Sequence, residues 1–395
     1  MPNNKNTRSP NGGGSIRKIE KYGHTYWEGT LSLGFDSVTG RRIRKYVSGA
    51  TQKEVRQKIS EISAEVDKGI FTEASDMTLE KWLGIWLSNI EGSVKTLTLQ
   101  TYDSRLRSYV IPALGKVKLC DLKPYMIQDF EKQLTRDKNL APKTVINILA
   151  ILQKALNQAV REELIFKNPA NAVDKPKLKT LRDISPLTKT ELHNFLDLLH
   201  ENDDVYSRLC EVTVYSGMRE GEICGLSWND VDFAKNRIVV RQQLQKTKTK
   251  GSHYFIDTTK NDRKRVIYVP RYVMDIFRRQ RDYQRQWREA LGSEYFNEWN
   301  LVFTKENGHH LAPQQVLKVY KRYVTEIGRP DARFHDLRHT YAVNALERGV
   351  NVKTVQEALG HATAAFTLDV YGHVTDEMQR ELVNRMDDLI DEMNA

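Results

Sequence analysis

Six side chains in the second half of the chain have the types to act together on a phosphodiester: Arg219, Lys260, His335, Arg338, His361 and Tyr371. Attack on a phosphodiester builds negative charge around a five-coordinate phosphorus, and a guanidinium offers planar, paired hydrogen bonds to its non-bridging oxygens. Arg219, in Ser216-Gly217-Met218-Arg219-Glu220-Gly221-Glu222, and Arg338, in His335-Asp336-Leu337-Arg338-His339, fit that role. His335 and His361 would assist proton transfer and hydrogen-bond the phosphate. A tyrosine phenol, with an ordinary pKa of about 10, becomes a nucleophile once nearby cations favour its anion, and the ester it forms conserves the bond energy. Tyr371, ten residues after His361, is the candidate. Glu222, three residues after Arg219, is placed to orient that arginine or His335. This chemistry calls for no metal ion and no cofactor.

Each residue also has an explanation without chemistry. Arg219 and Glu222 have the spacing of a surface helix pair, worth a few tenths of a kcal/mol. Lys260 is one of 61 Lys+Arg, and Lys250 or Lys264 could stand in for it. Tyr371 is one of seventeen tyrosines. Tyr341 competes with it, but lies on the same predicted helix as His335, whereas Tyr371 follows a separate Gly-His turn. His335 and His339 also have the i, i+4 spacing of a zinc helix, with His361 as a third ligand. Against that, Arg338 would put a fixed cation beside the metal, and Asp336 is shorter than the usual glutamate.

The elements that must hold these residues are of two kinds. Residues 15–21, 25–35 and 41–48 read as strands, with a hairpin turn over 36–40, and 51–68 reads as a helix with Val55, Ile59, Ile62 and Val66 on one side. One helix covers one face of a three-stranded sheet, leaving the other face, basic and aromatic, to fit a DNA groove. Helices follow over 78–89, 97–110, 123–135 and 142–162, punctuated by Pro112, Gly115 and Pro124. Beyond a basic linker, helices at 188–200 and 203–216 lead to strands at 237–243, 253–257 and 265–269, and helices resume from 271.

A length of 395 residues favours two or three domains. No stretch approaches a spanning helix, residues 1–15 lack the apolar core of a signal peptide, and three cysteines without CxxC spacing make no disulfide framework. The net charge of +10 points to a polyanionic partner. It is unevenly placed: residues 1–49 carry nine basic against three acidic side chains, 235–288 carry sixteen against four, and 374–395 carry two against seven.

The ordered set of Arg219, Lys260, His335-x-x-Arg338, Gly360-His361 and Tyr371 resembles that of the tyrosine recombinase (phage integrase) family. From about residue 15 the layout is most similar to integrases of Gram-positive conjugative transposons. The resemblance implies a multidomain chain, mainly α with small β. After a disordered 1–14 come an arm-type DNA-binding domain at 15–72 and a helical core-binding domain at 76–174. A basic linker at 175–184 leads to a mixed α+β catalytic domain at 185–373 and a tail helix at 374–395.

It further implies a cytoplasmic bacterial enzyme that integrates and excises a mobile element through a 3′-phosphotyrosyl intermediate on Tyr371, with Lys260 protonating the leaving 5′-oxygen. Type IB topoisomerase action, or a non-catalytic architectural role on DNA, is the alternative. The partner is double-stranded DNA at core and arm sites. Arg41, Arg42, Arg44, Lys45, Lys175, Lys177, Lys179, Lys246, Lys248 and Arg263 are the candidate contacts. The tail carries Met378, Leu382, Met386, Leu389, Ile390 and Met393 on one side. It is expected to dock on a neighbouring protomer of a tetramer, with packing on its own catalytic domain as the alternative. An excisionase or a host DNA-bending protein is a further partner that the resemblance leaves open, and no membrane contact is expected.

Overall fold

The computed structural model describes residues 15–21, 24–35, 42–67, 77–178, 185–247, 251, 253–259, 264–360, 383, 386–387 and 390–393. Arg41, Lys179, Lys248, Lys260, Arg263, His361 and Tyr371 lie outside the described residues, as do the 36–40 turn and most of the tail. Contacts divide the chain into two compact units, Met1–Thr180 and Leu181–Ala395.

The first unit begins with an antiparallel sheet of β1 (Ser15–Lys21), β2 (His24–Phe35) and β3 (Arg42–Gly49), in that order, followed by α1 (Gln52–Asp67). Leu31, Val55 and Ile59 form its small core, flanked by Ile16, Trp27, Val47 and Ile62. The register pairs Arg17 with Glu28, Thr30 with Tyr46 and Ser32 with Arg44. Since residues two apart along a strand share a face, Arg17, Tyr46 and Arg44 fall on the face away from that core, and all three are exposed.

The helical part comprises α2 (Leu79–Asn89), α3 (Thr96–Arg105), α4 (Ile111–Leu114), α5 (Pro124–Arg136) and α6 (Pro142–Arg161). Trp82 and Trp86 anchor its core, with the Trp82 indole donating to the Ala155 carbonyl at 3.1 Å. Sequence placed a helix end at 110, before Pro112, but the helical run continues to Leu114 through a π turn at Leu106–Val110. Pro112, which has no N–H to give to the run, comes just after the π turn.

The second unit contains α7 (Lys189–Asn202), α8 (Val205–Ser216) and the short α9 (Glu220–Cys224). Next come β4 (Val231–Asp232), β5 (Arg237–Val240), β6 (Gln242–Lys246), β7 (Tyr254–Thr258) and β8 (Arg265–Tyr268). The helices α10 (Arg271–Leu291), α11 (Pro313–Glu326), α12 (Phe334–Glu347) and α13 (Val352–Leu359) follow. The strand expected over 237–243 is two strands in two sheets: β5 lies between β4 and β8, and β6 pairs with β7. The break falls at Arg241, whose guanidinium leaves the strand line to meet Asp230 at 2.8 Å.

A continuous core runs through Phe195, Leu209, Ile223, Ile267, Phe277, Phe303, Tyr320 and Leu337. The helix α12 is buried around much of its circumference, so its sequence shows no single apolar face. No helix among the described residues is long and apolar enough to cross a membrane.

Candidate functional site

Two helices that carry the site residues begin in the same way. At α9 the Arg219 N–H donates to Glu222 Oε2 at 2.9 Å, and at α12 the Arg333 N–H donates to Asp336 Oδ2 at 2.8 Å. An acid three residues inside a helix thus satisfies a free donor at its start and complements the positive helix end. These caps fix Arg219 at the mouth of α9, and His335 and Arg338 within the first turns of α12.

Arg338 is 1% exposed, which would be prohibitive for an uncompensated charge. Its Nη1 donates to the Gly217 carbonyl at 2.8 Å, and its Nη2 donates to the Leu359 carbonyl. Both carbonyls stand at helix C-termini, those of α8 and α13, where the helix dipole is negative. Each helix ends on a left-handed glycine, Gly217 with φ +61° and Gly360 with φ +64°.

Two further arginines reach the same end of α13. Arg219 Nη2 donates to the Gly360 carbonyl at 3.4 Å, and Arg265 Nε donates to the Ala358 carbonyl at 2.7 Å. Three consecutive carbonyls, Ala358, Leu359 and Gly360, therefore each accept from a different guanidinium. The chain leaves this cluster directly into His361.

Glu222 lies between two of the three arginines. It accepts from Arg219 Nη1 at 2.8 Å, from Arg265 Nη1 at 2.9 Å and from Arg265 Nη2 at 2.6 Å. Burial alone would raise its carboxyl, but the Arg265 hydrogen bonds and the charges of Arg265 and Arg219 prevail and hold it down to about 2. Of the two orienting roles expected for Glu222, its contacts are those toward Arg219. Three guanidiniums against one carboxylate leave the cluster net positive.

The His335 imidazole is open to solvent on one side. Desolvation on its inner side, together with the charges of His339, Arg338 and Arg219, holds it down to about 4. It is therefore neutral at pH 7, able to accept a proton at one nitrogen and donate from the other. The rings of His335 and His339 meet edge to face with centroids 4.9 Å apart. Tyr341, the competing phenol, packs against Gly217, and burial pushes its hydroxyl above the usual tyrosine range. That makes it a poorer nucleophile than a free phenol.

Among the candidate DNA contacts, Arg44, Lys175 and Lys177 are exposed. Arg42 and Lys45 belong to β3. Lys175 Nζ reaches Gln153 at 3.4 Å, which ties the start of the basic linker to α6, and Lys246 Nζ lies 5.3 Å from the centre of the Tyr254 ring. Arg265 was counted in the sequence only as part of the basic excess. It shares the inward face of β8 with the buried Ile267, while the more apolar-looking Val266 and Tyr268 point outward at 42% and 71% exposure.

Residues 186–378 match the Phage integrase family, and residues 78–135 match the phage integrase N-terminal SAM-like domain. The chain is 30% identical over 386 residues to a XerC-like tyrosine recombinase of Caldanaerobacter subterraneus subsp. tengcongensis, covering 93% of this chain and 97% of that protein. It is 24% identical to the ICEBs1 integrase of Bacillus subtilis, covering 95% of this chain and all of that protein. In fold, it is similar to the Tn1549 transposon integrase in complex with transposon right end DNA, with a TM-score of 0.66 and 24% identity over 79% of this chain and all of that one. The lambda integrase tetramer bound to a Holliday junction gives a TM-score of 0.55 and 17% identity over 91% of this chain and 96% of that one. Near-complete alignment to a tyrosine recombinase, over the residues that build the arginine cluster, means that this chain belongs to the phage integrase family of tyrosine recombinases, enzymes of site-specific DNA recombination.

Proposed function

We propose that the chain cuts and rejoins DNA at the attachment sites of a mobile element, by way of a 3′-phosphotyrosyl intermediate on Tyr371. The observation that carries this reading is the convergence of Arg219 and Arg338 on one helix end beside a neutral His335. Arg219, with 32% of its side chain open to solvent, would hold one non-bridging oxygen of the scissile phosphate, and Arg338 would reach the other by exchanging one of its two carbonyl bonds for it. The Tyr371 oxygen attacks phosphorus, the bond to the 5′-oxygen breaks, and a 5′-hydroxyl leaves. His335 and His361 are positioned in this reading to take the phenolic proton and to hydrogen-bond the phosphate, and Lys260 supplies the proton that the leaving oxygen needs. Attack by a 5′-hydroxyl from a second strand reverses the step and restores the tyrosine. The phosphate ester is exchanged rather than spent, so neither metal nor nucleotide enters the balance.

The remaining parts take roles around this step. The exposed face of the β1–β3 sheet, with Arg17, Arg44 and Tyr46, would bind an arm site, joined by Arg41 and Arg42; Lys45, expected as a further contact, pairs with Leu31 and so falls at a register position of the opposite face, the one that α1 covers. The helical part and the unit from 185 onward would each contribute contacts to the core site, with Lys175, Lys177, Lys179, Lys246, Lys248 and Arg263 on phosphates. A tetramer would bring four copies together on two duplexes; the lambda integrase is a tetramer when bound to a Holliday junction.

The test is a nicked suicide duplex carrying the attachment site. Wild-type protein should leave a denaturation-resistant protein–DNA adduct, and Tyr371→Phe none; an adduct that persists in Tyr371→Phe puts the nucleophile elsewhere. Relaxation of plasmids lacking any attachment site would favour a type IB topoisomerase instead.

A further inference from the structure

We infer that Arg265 is a positioning residue for strand cleavage: it joins the carboxylate that orients Arg219 to the C-terminal turn of α13. The inference rests on the recombinase reading above and assigns Arg265 no contact with DNA.

Arg265 is committed inward. Its side chain is 11% exposed, both terminal nitrogens meet the two oxygens of Glu222 in a paired, fork-to-fork arrangement, and its Nε meets Ala358. A paired contact fixes the plane of a carboxylate as well as its position. Glu222 so fixed holds Arg219 through both the backbone N–H and the guanidinium. The other arm of Arg265 meets α13 one residue before the carbonyl taken by Arg338 and two before the one taken by Arg219. One side chain on β8 therefore sets the spacing between the α9 mouth and the α13 end.

The fit is close. A Cβ on Gly360 would stand 3.1 Å from Arg265 Cδ and 3.3 Å from Nη1, so a side chain there would crowd the Arg265 side chain. Lysine cannot reproduce this arrangement, because one ammonium on a flexible stem cannot span both Glu222 oxygens and the Ala358 carbonyl in a fixed plane.

The experiment uses the full chain and the nicked suicide duplex, with single-turnover cleavage and equilibrium DNA binding measured on the same preparations. Arg265→Gln should slow cleavage by about 30- to 100-fold while the Kd for DNA stays within about threefold, as for an interaction realised in the transition state. Glu222→Gln should act through the same route. The double variant should then be no slower than the slower single by more than about threefold, because the two residues form one unit.

A wild-type cleavage rate in Arg265→Gln overturns the inference, as do single losses that multiply in the double. An equal loss of binding and cleavage also overturns it, because that marks a purely structural role. Should Arg265→Gln lack a cooperative thermal transition, Arg265→Lys decides. Cleavage at least about tenfold slower at unchanged binding sustains the inference, and the wild-type rate overturns it. A wild-type protein that yields no adduct at all refutes the recombinase reading, a different failure.

Discussion

A guanidinium is a planar fork of donors, and the three in this site are used differently. Arg338 is sealed against helix-end carbonyls, Arg265 is spent on Glu222 and Ala358, and Arg219 keeps 32% of its side chain open to solvent. Glu222 links two of them, and its carboxyl lies near 2 against an ordinary 4.5. A lowered native value means that its contribution to stability is complete above pH 4.5 and fades as the pH falls toward 2. The loss between pH 6 and pH 3 should be on the order of 2 kcal/mol. Urea unfolding at both pH values checks it: the gap between them should shrink by about that amount in Glu222→Gln.

At this scale the sequence made Arg219, His335 and Arg338 legible, because their types and order state a chemistry. It concealed Arg265. In Arg265-Val266-Ile267-Tyr268, alternation offers Val266 and Tyr268 as the inward pair, and only tertiary contacts with Glu222 and α13 turn the strand the other way.

Among the elements, the C-terminal end of α13 is the point on which the site turns. It gathers side chains from α9, β8 and α12, and it ends on Gly360 in the left-handed region, against the Arg265 side chain. Gly360→Ala should destabilise the fold by about 1–2 kcal/mol, from backbone strain alone. It should also slow suicide-substrate cleavage more than a surface change of equal stability cost; chemical denaturation and cleavage on one preparation test both. Helix positions were legible because their apolar spacing is strong and their ends are marked, as at Thr188 with Glu191. Two boundaries were not. Pro112 is absorbed by a π turn, and β5 and β6 part company at Arg241, whose side chain pairs with the buried Asp230.

For the whole molecule, charge and the tail carry the expectations. Of the expected apolar stripe, Met386, Ile390 and Met393 are more than half exposed, at 51%, 51% and 79%, so the stripe is in part uncovered. Its acidic flanks suit a protein partner better than DNA. Truncation after Val374 should leave binding to a single DNA site within about twofold and impair recombination between paired sites; gel shift and a two-plasmid recombination assay check the two halves. Unchanged recombination would count against tail exchange.

The arginine cluster at the end of α13 has a consequence for how the protein responds to ionic strength. Contacts from exposed lysines and arginines to a duplex depend on displaced counterions and weaken steeply as salt rises. The bonds among Arg219, Glu222, Arg265, Arg338 and the α13 carbonyls lie largely out of reach of mobile ions. Salt therefore governs whether the enzyme is on DNA without disturbing the arginine cluster, and dilution returns that cluster unchanged.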